Sequence, residues 1–498
     1  MDKEKIIGRI ATGVSAALFL IYMLKIAGYM VFPSYLDHIQ PMIAGLSFLV
    51  VKGYPLYPDW MNGDVYGFPY GPLLFYTTGI FYNLSPSVWM SKLPGVLALL
   101  ATFLVLFQIL KRISKDKLTP TILIICLIFI LSSFDTIPYW NRAEPFLVFF
   151  AIVAFACTRC APPLIAASLI AALAGIACGF KLHGFVYIAP SALGFLAHQA
   201  NTRKIATHTL VMAGVFAIVI ALPFLLAPHT LFDGYLRLLQ LESVKTVSTA
   251  MLLNAAKFDL QLLVPLGVTC FWIRPRLDRF TQWFIIGLVI SILLISVVGS
   301  LPGAGTHHLL PFVPLSLVAL ALMLSAPTSP RHSRFGTGSL LALIAVSLFF
   351  SNGANVTRIP KRTLQLLDRT AIETAKAREM EKLIETYPDA QIGYSDANHY
   401  GDTFYRIYSM FKGIAPKIDP AMVMDYEYCG VDPSFINRFV EHCAVKTWIL
   451  PHGDPFALTN YYNGTPLASQ AFLNSFLDRY RKVSTGPTYD VWTCENRD

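Results

Sequence analysis

Asp37 and His38 place a carboxylate and an imidazole next to each other, directly after the first long apolar segment of the chain. A turn-rich segment with many tyrosine, proline and glycine residues follows at 54–72. An acid held beside such a loop, at the end of an apolar segment, is suited to acid–base chemistry. The same position also suits an acid that caps a helix, so these residues alone leave both roles open.

Further ionisable residues stand at the ends of later apolar segments. They form three short stretches, 139–144, 181–183 and 303–308, which contain Arg, Glu, Lys and His residues. An ionisable group at the end of a membrane span is costly unless it is paired or used. The stretches therefore predict one functional site if they lie on the same side of a membrane.

The composition is that of a membrane protein. Of the 498 residues, 55% are hydrophobic and only 14% are charged, and the apolar runs repeatedly reach the roughly 20 residues that cross a bilayer. These values predict a polytopic α-helical membrane protein. The net charge of +9 does not indicate nucleic-acid binding, because the Lys and Arg residues are spread over short loops between the apolar runs.

About eleven apolar segments have the composition of membrane spans. They cover residues 6–32, 87–110, 119–133, 145–157, 163–178, 184–198, 207–227, 260–273, 282–299, 309–325 and 338–351. Alternation places the basic segments at 3–9, 111–117, 203–204, 274–279 and 331–334 in one compartment, which the positive-inside rule identifies as the cytoplasm. The N-terminus is then cytoplasmic, whereas Asp37 and the three polar stretches face outward.

The first outer loop, residues 33–86, contains two short apolar stretches with helical spacing, at 39–50 and 73–84. They flank the turn-rich segment and predict two interfacial helices that form a wall over an outward-facing cavity. A similar pattern lies in the outward loop 229–257, where it predicts a third interfacial helix or a mobile cover.

Residues 1–351 are thus expected to form a transmembrane domain, and residues 352–498 a small extracytoplasmic α/β domain. The pattern of the second part predicts helices at 363–387, 434–441 and 469–480, and strands at 391–394, 446–450 and 488–492. Of its three cysteines, Cys429, Cys443 and Cys494, two can form a disulfide, and the sequence does not decide which.

The order of several short motifs resembles the GT-C glycosyltransferases, multi-pass enzymes that use polyprenyl-phosphate-linked sugars. Within that superfamily the sequence looks like the protein O-mannosyltransferases and the aminoarabinose transferase of lipid A. The motifs are Leu-Asp-His at 36–38, Gly-x-Pro-Leu-Tyr-Pro at 53–58, Tyr-Gly-Pro-Leu at 70–73, Asn-Arg-Ala-Glu-Pro at 141–145, Phe-Lys-Leu-His-Gly at 180–184 and His-His-Leu-Leu-Pro at 307–311. The resemblance extends over residues 6–351. The family often carries an acidic pair after span one, where this sequence has His38.

The resemblance implies transfer of a hexose or pentose from a polyprenyl-phosphate-linked donor to a lipid, glycan or protein acceptor. It places the reaction at the outer face of a bacterial inner membrane, with the C-terminal domain in the periplasm and a role in cell-envelope glycan or glycolipid assembly. A phosphate leaving group needs only compensation of its charge, whereas the attacking hydroxyl must lose a proton. Asp37 is the expected base, and displacement in one step would invert the anomeric centre.

The other expected site residues follow from the same resemblance. The donor-phosphate ligands would be Arg142, Lys181, His307 and His308. Contacts to the sugar or the acceptor would come from His38, Asp64, Tyr70, Glu144 and His183. Structural alternatives stay open, because Arg142 can instead pair with Glu144, and Lys181 can extend from a span end to the interface.

No cofactor is required for such a transfer. Asp37, His38 and the outward histidines are suitable metal ligands, but nothing in their spacing demands a divalent metal. Two other functions stay open. A flippase or transporter for a lipid-linked glycan would be expected to place polar groups at mid-membrane in two related halves, and no internal repeat is visible. A polysaccharide polymerase or ligase would concentrate arginines in one outward loop, where 229–257 has only Arg237.

Overall fold

The computed structural model of the protein describes residues 3–160, 162–199, 201–327 and 336–495. The chain forms two compact units, each built from three separate segments. Unit 1 consists of residues 1–29, 95–223 and 246–365. Unit 2 consists of residues 30–94, 224–245 and 366–498, so it combines most of the C-terminal region with the first outer loop and part of a later one.

Helices dominate the described residues. The α-helices are α1 Lys3–Val31, α2 Ile39–Val51, α3 Pro72–Phe81, α4 Val88–Ile113, α5 Leu118–Ser132, α6 Glu144–Cys157, α7 Pro163–Cys178, α8 Ala189–Ala197, α9 Thr202–Leu226, α10 Phe232–Glu242, α11 Thr249–Ile273, α12 Arg279–Val298, α13 Phe312–Ser325, α14 Gly336–Thr357, α15 Ile359–Thr386, α16 Ile407–Met410, α17 Pro420–Tyr428 and α18 Gln470–Arg479. Short 3₁₀ helices lie at Leu182–Tyr187, Thr306–Leu309, Ala397–Arg406, Pro433–Phe439 and Glu441–Cys443. The strands are β1 Gln391–Ile392, β2 Thr447–Pro451, β3 Tyr480–Thr485 and β4 Tyr489–Cys494.

The predicted membrane spans all fall on helices. Within the described ranges, seven helices are long and apolar enough to cross a membrane, namely α1, α4, α9, α11, α12, α13 with its preceding 3₁₀ turn, and α14 continued by α15. The other predicted spans lie on the shorter helices α5, α6, α7 and α8. The predicted fold class, a polytopic helical protein with a small α/β C-terminal region, is confirmed.

Helix α11 corrects one predicted boundary. It begins at Thr249, although the sequence pattern placed the start of this span at residue 260. Ser248 caps the helix by accepting a hydrogen bond from the backbone of Met251, so the helix starts before its polar residues rather than after them. The buried Asp259 is tolerated in this apolar helix because both of its oxygens accept from Ser296 Oγ, at 2.9 and 2.7 Å.

In unit 2, the first outer loop forms the two predicted short helices, α2 and α3. Every residue of α2 from Gln40 to Val50 is buried, the polar ones included. Polar Ser47 is accommodated because its hydroxyl donates to the carbonyl of Ile43 at 2.6 Å. The third predicted helix is α10, which also lies in unit 2.

The C-terminal sheet has the strand order β1-β2-β4-β3, with β1 parallel to β2 and the other pairs antiparallel. Its three predicted strands are confirmed, and β3 was not predicted. The helix expected at 434–441 is a 3₁₀ helix instead, and α17 was missed. Met380 of α15 packs with Ile449, Tyr489 and Val491 of the sheet in a buried core.

The first outer loop is bound to the C-terminal segment within unit 2. Val65 forms a β-bridge with Ile418, in which its amide donates to Lys417 at 2.9 Å and its carbonyl accepts from Asp419 at 2.8 Å. Asp64 pairs with the Lys417 ammonium at 2.7 Å. The guanidinium of Arg438 donates to several backbone carbonyls of the loop. These contacts hold the turn-rich segment in place.

Candidate functional site

Glu144 is the centre of the polar cluster in unit 1. It is the first residue of α6, and the following proline suits the first turn of a helix. Its side chain is only 1% exposed. A buried carboxylate is unfavourable unless charged groups and hydrogen-bond donors surround it, so the neighbours of Glu144 define the site.

Four side chains approach this carboxylate. Lys181, which follows α7, lies 2.6 Å from Oε1, and the indole of Trp140 donates to Oε2 at 2.9 Å. Arg142 Nε stands 4.0 Å from Oε2, and His307 Nε2 stands 3.8 Å from Oε1. The structure thus brings together predicted residues that lie as far apart in the sequence as Arg142 and His307, 165 positions.

Arg142 is held in a fixed orientation. Its guanidinium lies over the ring of Trp140, 4.0 Å from the centroid, and the side chain is buried. Stacking on an aromatic face restrains the orientation of a guanidinium. The alternative in which Arg142 pairs with Glu144 is therefore realised, at 4.0 Å.

The histidines extend the cluster on the other side of Lys181. Lys181 Nζ lies 3.2 Å from His308 Nε2. An ammonium group only donates hydrogen bonds, so this nitrogen accepts and the ring proton of His308 resides on Nδ1. His308 Nδ1 is buried and has no hydrogen-bond partner among the described residues.

His183 stacks on His308, with the ring centroids 5.1 Å apart. Burial, together with the neighbouring charge of Lys181, lowers the pKa of His183 to about 3. The ring is therefore neutral at physiological pH. His183 Nε2 also lacks a hydrogen-bond partner in the part of the chain that the structure describes. Two buried ring nitrogens without partners point to a ligand that would complete the site.

The 3₁₀ helix Leu182–Tyr187 positions Lys181 and His183. It packs closely against the end of α7, because a Cβ atom at Gly184 would lie 2.2 Å from the carbonyl oxygen of Ala177. No side chain fits at this distance without movement of the backbone. Gly184 therefore fixes how Lys181 reaches Glu144.

Gly184→Ala is expected to lower any activity that depends on this cluster and to destabilise the protein by ~1–3 kcal/mol, the usual cost of overpacking. Thermal unfolding and activity of the purified variant measure both effects. Gly214→Ala is the matched control, because a Cβ atom there meets no atom within 4 Å. If both variants behave alike, Gly184 does not position the cluster.

The catalytic candidate Asp37 and its neighbour His38 lie in unit 2. Asp37 Oδ1 accepts from the backbone amide of Ile39 at 3.0 Å, at the start of α2. Its other oxygen stands 3.8 Å from His38 Nδ1, and both side chains are about one quarter exposed. The imidazole of His38 contacts the rings of Tyr400 and Tyr461. Asp37 thus makes the contact expected of a helix cap and keeps part of its carboxylate accessible.

Two other predicted residues have contacts within unit 2. Asp64 is paired with Lys417, as described above, and the carbonyl of the buried Tyr70 accepts from Tyr57 Oη at 2.7 Å. These contacts connect the outer loop to itself and to the C-terminal segment. The predicted sugar or acceptor contacts of both residues stay predictions.

Sequence reasoning missed a buried ion pair close to Asp37. Arg406 and Asp419 lie 2.9 Å apart and are almost fully buried. Burial raises the pKa of Asp419, while the charge of Arg406 acts in the opposite direction. Tyr400 is within electrostatic range of this pair and of Asp37. No motif marked these residues, because they lie in the C-terminal region, which carries no family signature.

A metal centre is not evident in the described ranges. No group of three or more His, Cys, Asp or Glu residues there has an arrangement that could hold an ion. The charge at the Glu144 cluster is supplied by side chains, chiefly Lys181 and Arg142.

No known family model matches the sequence, and no curated protein does either. Several solved structures are similar, among them two of ArnT and one of an arabinosyltransferase. ArnT from Cupriavidus metallidurans bound to undecaprenyl phosphate has 12% identity, with 98% of this chain and 99% of that chain covered and a TM-score of 0.58. The apo state of the same protein has 11% identity and a TM-score of 0.56, and the match covers 96% of this chain and 98% of that chain. The arabinosyltransferase EmbB from Mycobacterium smegmatis has 12% identity and a TM-score of 0.46, and the match covers 74% of this chain and 41% of that chain.

At such low identity the likeness concerns the fold. It extends over nearly the whole length of both this chain and ArnT, including the C-terminal region. The resemblance read from short motifs is confirmed at this level. The chain has the GT-C fold, the architecture of ArnT.

Proposed function

We propose that the protein is an inverting membrane glycosyltransferase. It transfers a sugar from a polyprenyl-phosphate-linked donor to an acceptor at the outer face of the membrane. The observation that supports this most is the Glu144 cluster, in which Lys181, Arg142 and His307 lie around a single carboxylate. The imidazoles of His308 and His183 extend the cluster on the other side of Lys181. A buried site with excess positive charge and several hydrogen-bond donors is suited to binding a phosphate group.

The cluster provides what a phosphate leaving group requires. As the bond between the anomeric carbon and the phosphate oxygen breaks, negative charge grows on the phosphate. Arg142 and Lys181 are placed to balance that charge, and His308 Nδ1–H is a buried donor for a phosphate oxygen. Glu144 acts as a positioning residue, because it holds Lys181 through a 2.6 Å contact and keeps the site from being excessively positive.

Asp37 is the proposed base. It takes the proton from the acceptor hydroxyl while that oxygen forms a bond to the anomeric carbon and polyprenyl phosphate departs. A single displacement of this kind inverts the configuration at the anomeric carbon. The partial exposure of its carboxylate is consistent with this role.

The similar fold adds support for the donor class. ArnT, which shares the architecture, has been crystallised with undecaprenyl phosphate. A polymerase or ligase is disfavoured because Arg237, the one arginine of the outward loop 229–257, is engaged by Asp59 at 3.1 Å. A transporter is disfavoured because Glu144, Lys181 and His308 lie at helix ends rather than at broken helices in mid-membrane.

The disulfide between Cys443 and Cys494 supports an extracytoplasmic, periplasmic location for unit 2. Disulfides persist in oxidising compartments and are rare in the cytosol. The disulfide joins two of the three candidate cysteines, and Cys429 carries a free thiol. Asp37 belongs to the same unit, so this observation supports an outer-face reaction.

The test uses the purified full-length protein in proteoliposomes with a synthetic polyprenyl-phosphate sugar and an acceptor extract. We expect release of polyprenyl phosphate in proportion to glycosylated acceptor, detected by mass spectrometry. Movement of the intact donor across the membrane without release would identify a transporter instead. Mass analysis of the lipid-linked glycans that accumulate after gene deletion would then identify the sugar and show whether the acceptor is a lipid, glycan or protein.

A further inference from the structure

A separate cavity lies in unit 1 at the opposite end of α6 from Glu144. It has a volume of about 510 Å³, and Phe155 near the end of α6 forms part of its wall. Glu144 and Phe155 are eleven residues apart, so ~17 Å of helix separates the cavity from the proposed donor site. The cavity therefore takes no part in the chemistry described above.

The cavity has an unusual charge. Arg112, Arg159 and Arg276 line it together with a single carboxylate, Asp278. Asp278 caps α12 by accepting from the backbone of Thr281 at 2.9 Å, so one of its oxygens is already occupied. None of the three arginines forms an ion pair with another described residue. The lining is thus strongly cationic.

The remaining wall is apolar. Ile109 of α4, Phe155 of α6 and Leu322 of α13 contribute to it, and these helices all end at the cavity. The arginines stand beyond or near those helix ends, Arg112 in the last turn of α4 and Arg159 after α6. The cavity is therefore amphipathic: its walls are apolar, and guanidinium groups stand at one end. A phospholipid has the matching arrangement, with apolar acyl chains and a charged phosphate headgroup.

The positive surface continues beside this cavity. Arg159 also lines a neighbouring cavity of about 240 Å³, and a third cavity of about 440 Å³ is lined by Arg203 and Lys204. These residues come from loops that alternation assigns to one compartment. Their convergence at one end of unit 1 is consistent with the basic, cytoplasmic side predicted by the positive-inside rule.

We propose that the 510 Å³ cavity binds the phosphate of an anionic phospholipid headgroup from the adjacent leaflet. Guanidinium groups pair with phosphate oxygens in a planar, two-bond geometry. Basic pockets between membrane helices on this side are suited to anionic headgroups. A free phosphate would satisfy the arginines but would leave the apolar wall uncovered, which favours the lipid.

The test is native mass spectrometry of the full-length protein titrated separately with phosphatidylglycerol and phosphatidylcholine. We expect the wild-type protein to bind phosphatidylglycerol at least about tenfold more tightly. Arg112→Gln, Arg159→Gln and Arg276→Gln should each weaken that binding about fivefold, and the triple variant should lose the preference. Lys115→Gln and Arg274→Gln are the controls, because these basic residues at the same end do not line the cavity.

Three results would overturn the proposal: equal affinity of the wild-type protein for both lipids, an unchanged preference in the triple variant, or an equal loss in the two controls. A further arm adds inorganic phosphate. If phosphate binds the lipid-free protein more tightly than phosphatidylglycerol does, the site belongs to a soluble anion. The single variants carry the test if the triple variant does not fold, and thermal unfolding monitors this.

Discussion

Asp37→Asn is expected to reduce sugar transfer from a polyprenyl-phosphate donor by at least ~100-fold, within the range that a general base contributes. The substitution separates the two roles of this residue. An asparagine keeps the side-chain oxygen that accepts from Ile39, and it is as good a helix cap as aspartate, so α2 retains its start. It cannot take a proton from the acceptor. Initial rates with a synthetic donor, together with donor affinity and thermal unfolding, measure the outcome.

Asp59→Asn is the matched control. Asp59 lies in the same outer loop and accepts from the amide two residues ahead, that of Met61 at 3.3 Å, as Asp37 does from Ile39. We expect its variant to transfer sugar at nearly the wild-type rate. Full activity of Asp37→Asn would show that Asp37 is only a cap.

Lys181→Gln is expected to weaken binding of the donor about 10- to 100-fold, which corresponds to the loss of one hydrogen bond to a charged group. It also leaves Glu144 buried with less compensation, which costs ~3–5 kcal/mol of stability. Adding Glu144→Gln removes the uncompensated carboxylate. The double variant should regain stability without regaining donor affinity. Binding of undecaprenyl phosphate and thermal unfolding, measured on the same preparations, distinguish the two effects.

Arg142→Gln should likewise lower donor affinity more than acceptor affinity. Lys257→Gln serves as the control, because this exposed lysine of unit 1 lies outside the cluster. If donor affinity is unchanged in both the Lys181 and the Arg142 variants, the cluster does not bind the donor phosphate. Recovery of donor affinity in the Lys181→Gln, Glu144→Gln protein would assign Lys181 a structural role only.

The sequence predicted the helical fold class because the length and composition of an apolar run are local properties. The length of an apolar run identifies a candidate membrane helix. The alternation of basic loops predicts on which side of the membrane each helix end lies. The same reasoning assigned Arg142, Lys181 and His307 to one side of the membrane, and the structure brings them to one carboxylate. It did not predict which groups pair, because a 2.6 Å contact depends on packing such as that at Gly184.

The sequence was least informative where polar residues depend on distant partners. Asp259 lies inside α11, one residue before the predicted start of this span, because Ser296 on another helix satisfies its carboxylate. The Arg406–Asp419 pair was missed since neither residue belongs to a recurrent motif. A buried ion pair can be recognised only when both of its residues are known. The spacing of residues in the sequence does not identify such partners.

The bridge between the first outer loop and the C-terminal segment has a consequence for the order of assembly. Asp64 and Lys417 are 353 residues apart in the chain. At a synthesis rate of about 5–20 residues per second, the outer loop waits ~20–70 seconds before its partner strand is made. During that interval Val65 has no partner segment with which to form its β-bridge. The backbone carbonyls that later accept hydrogen bonds from Arg438 also lack this donor. The proposed catalytic unit is therefore among the last parts of the protein to form, and most of its membrane helices are synthesised before it is complete.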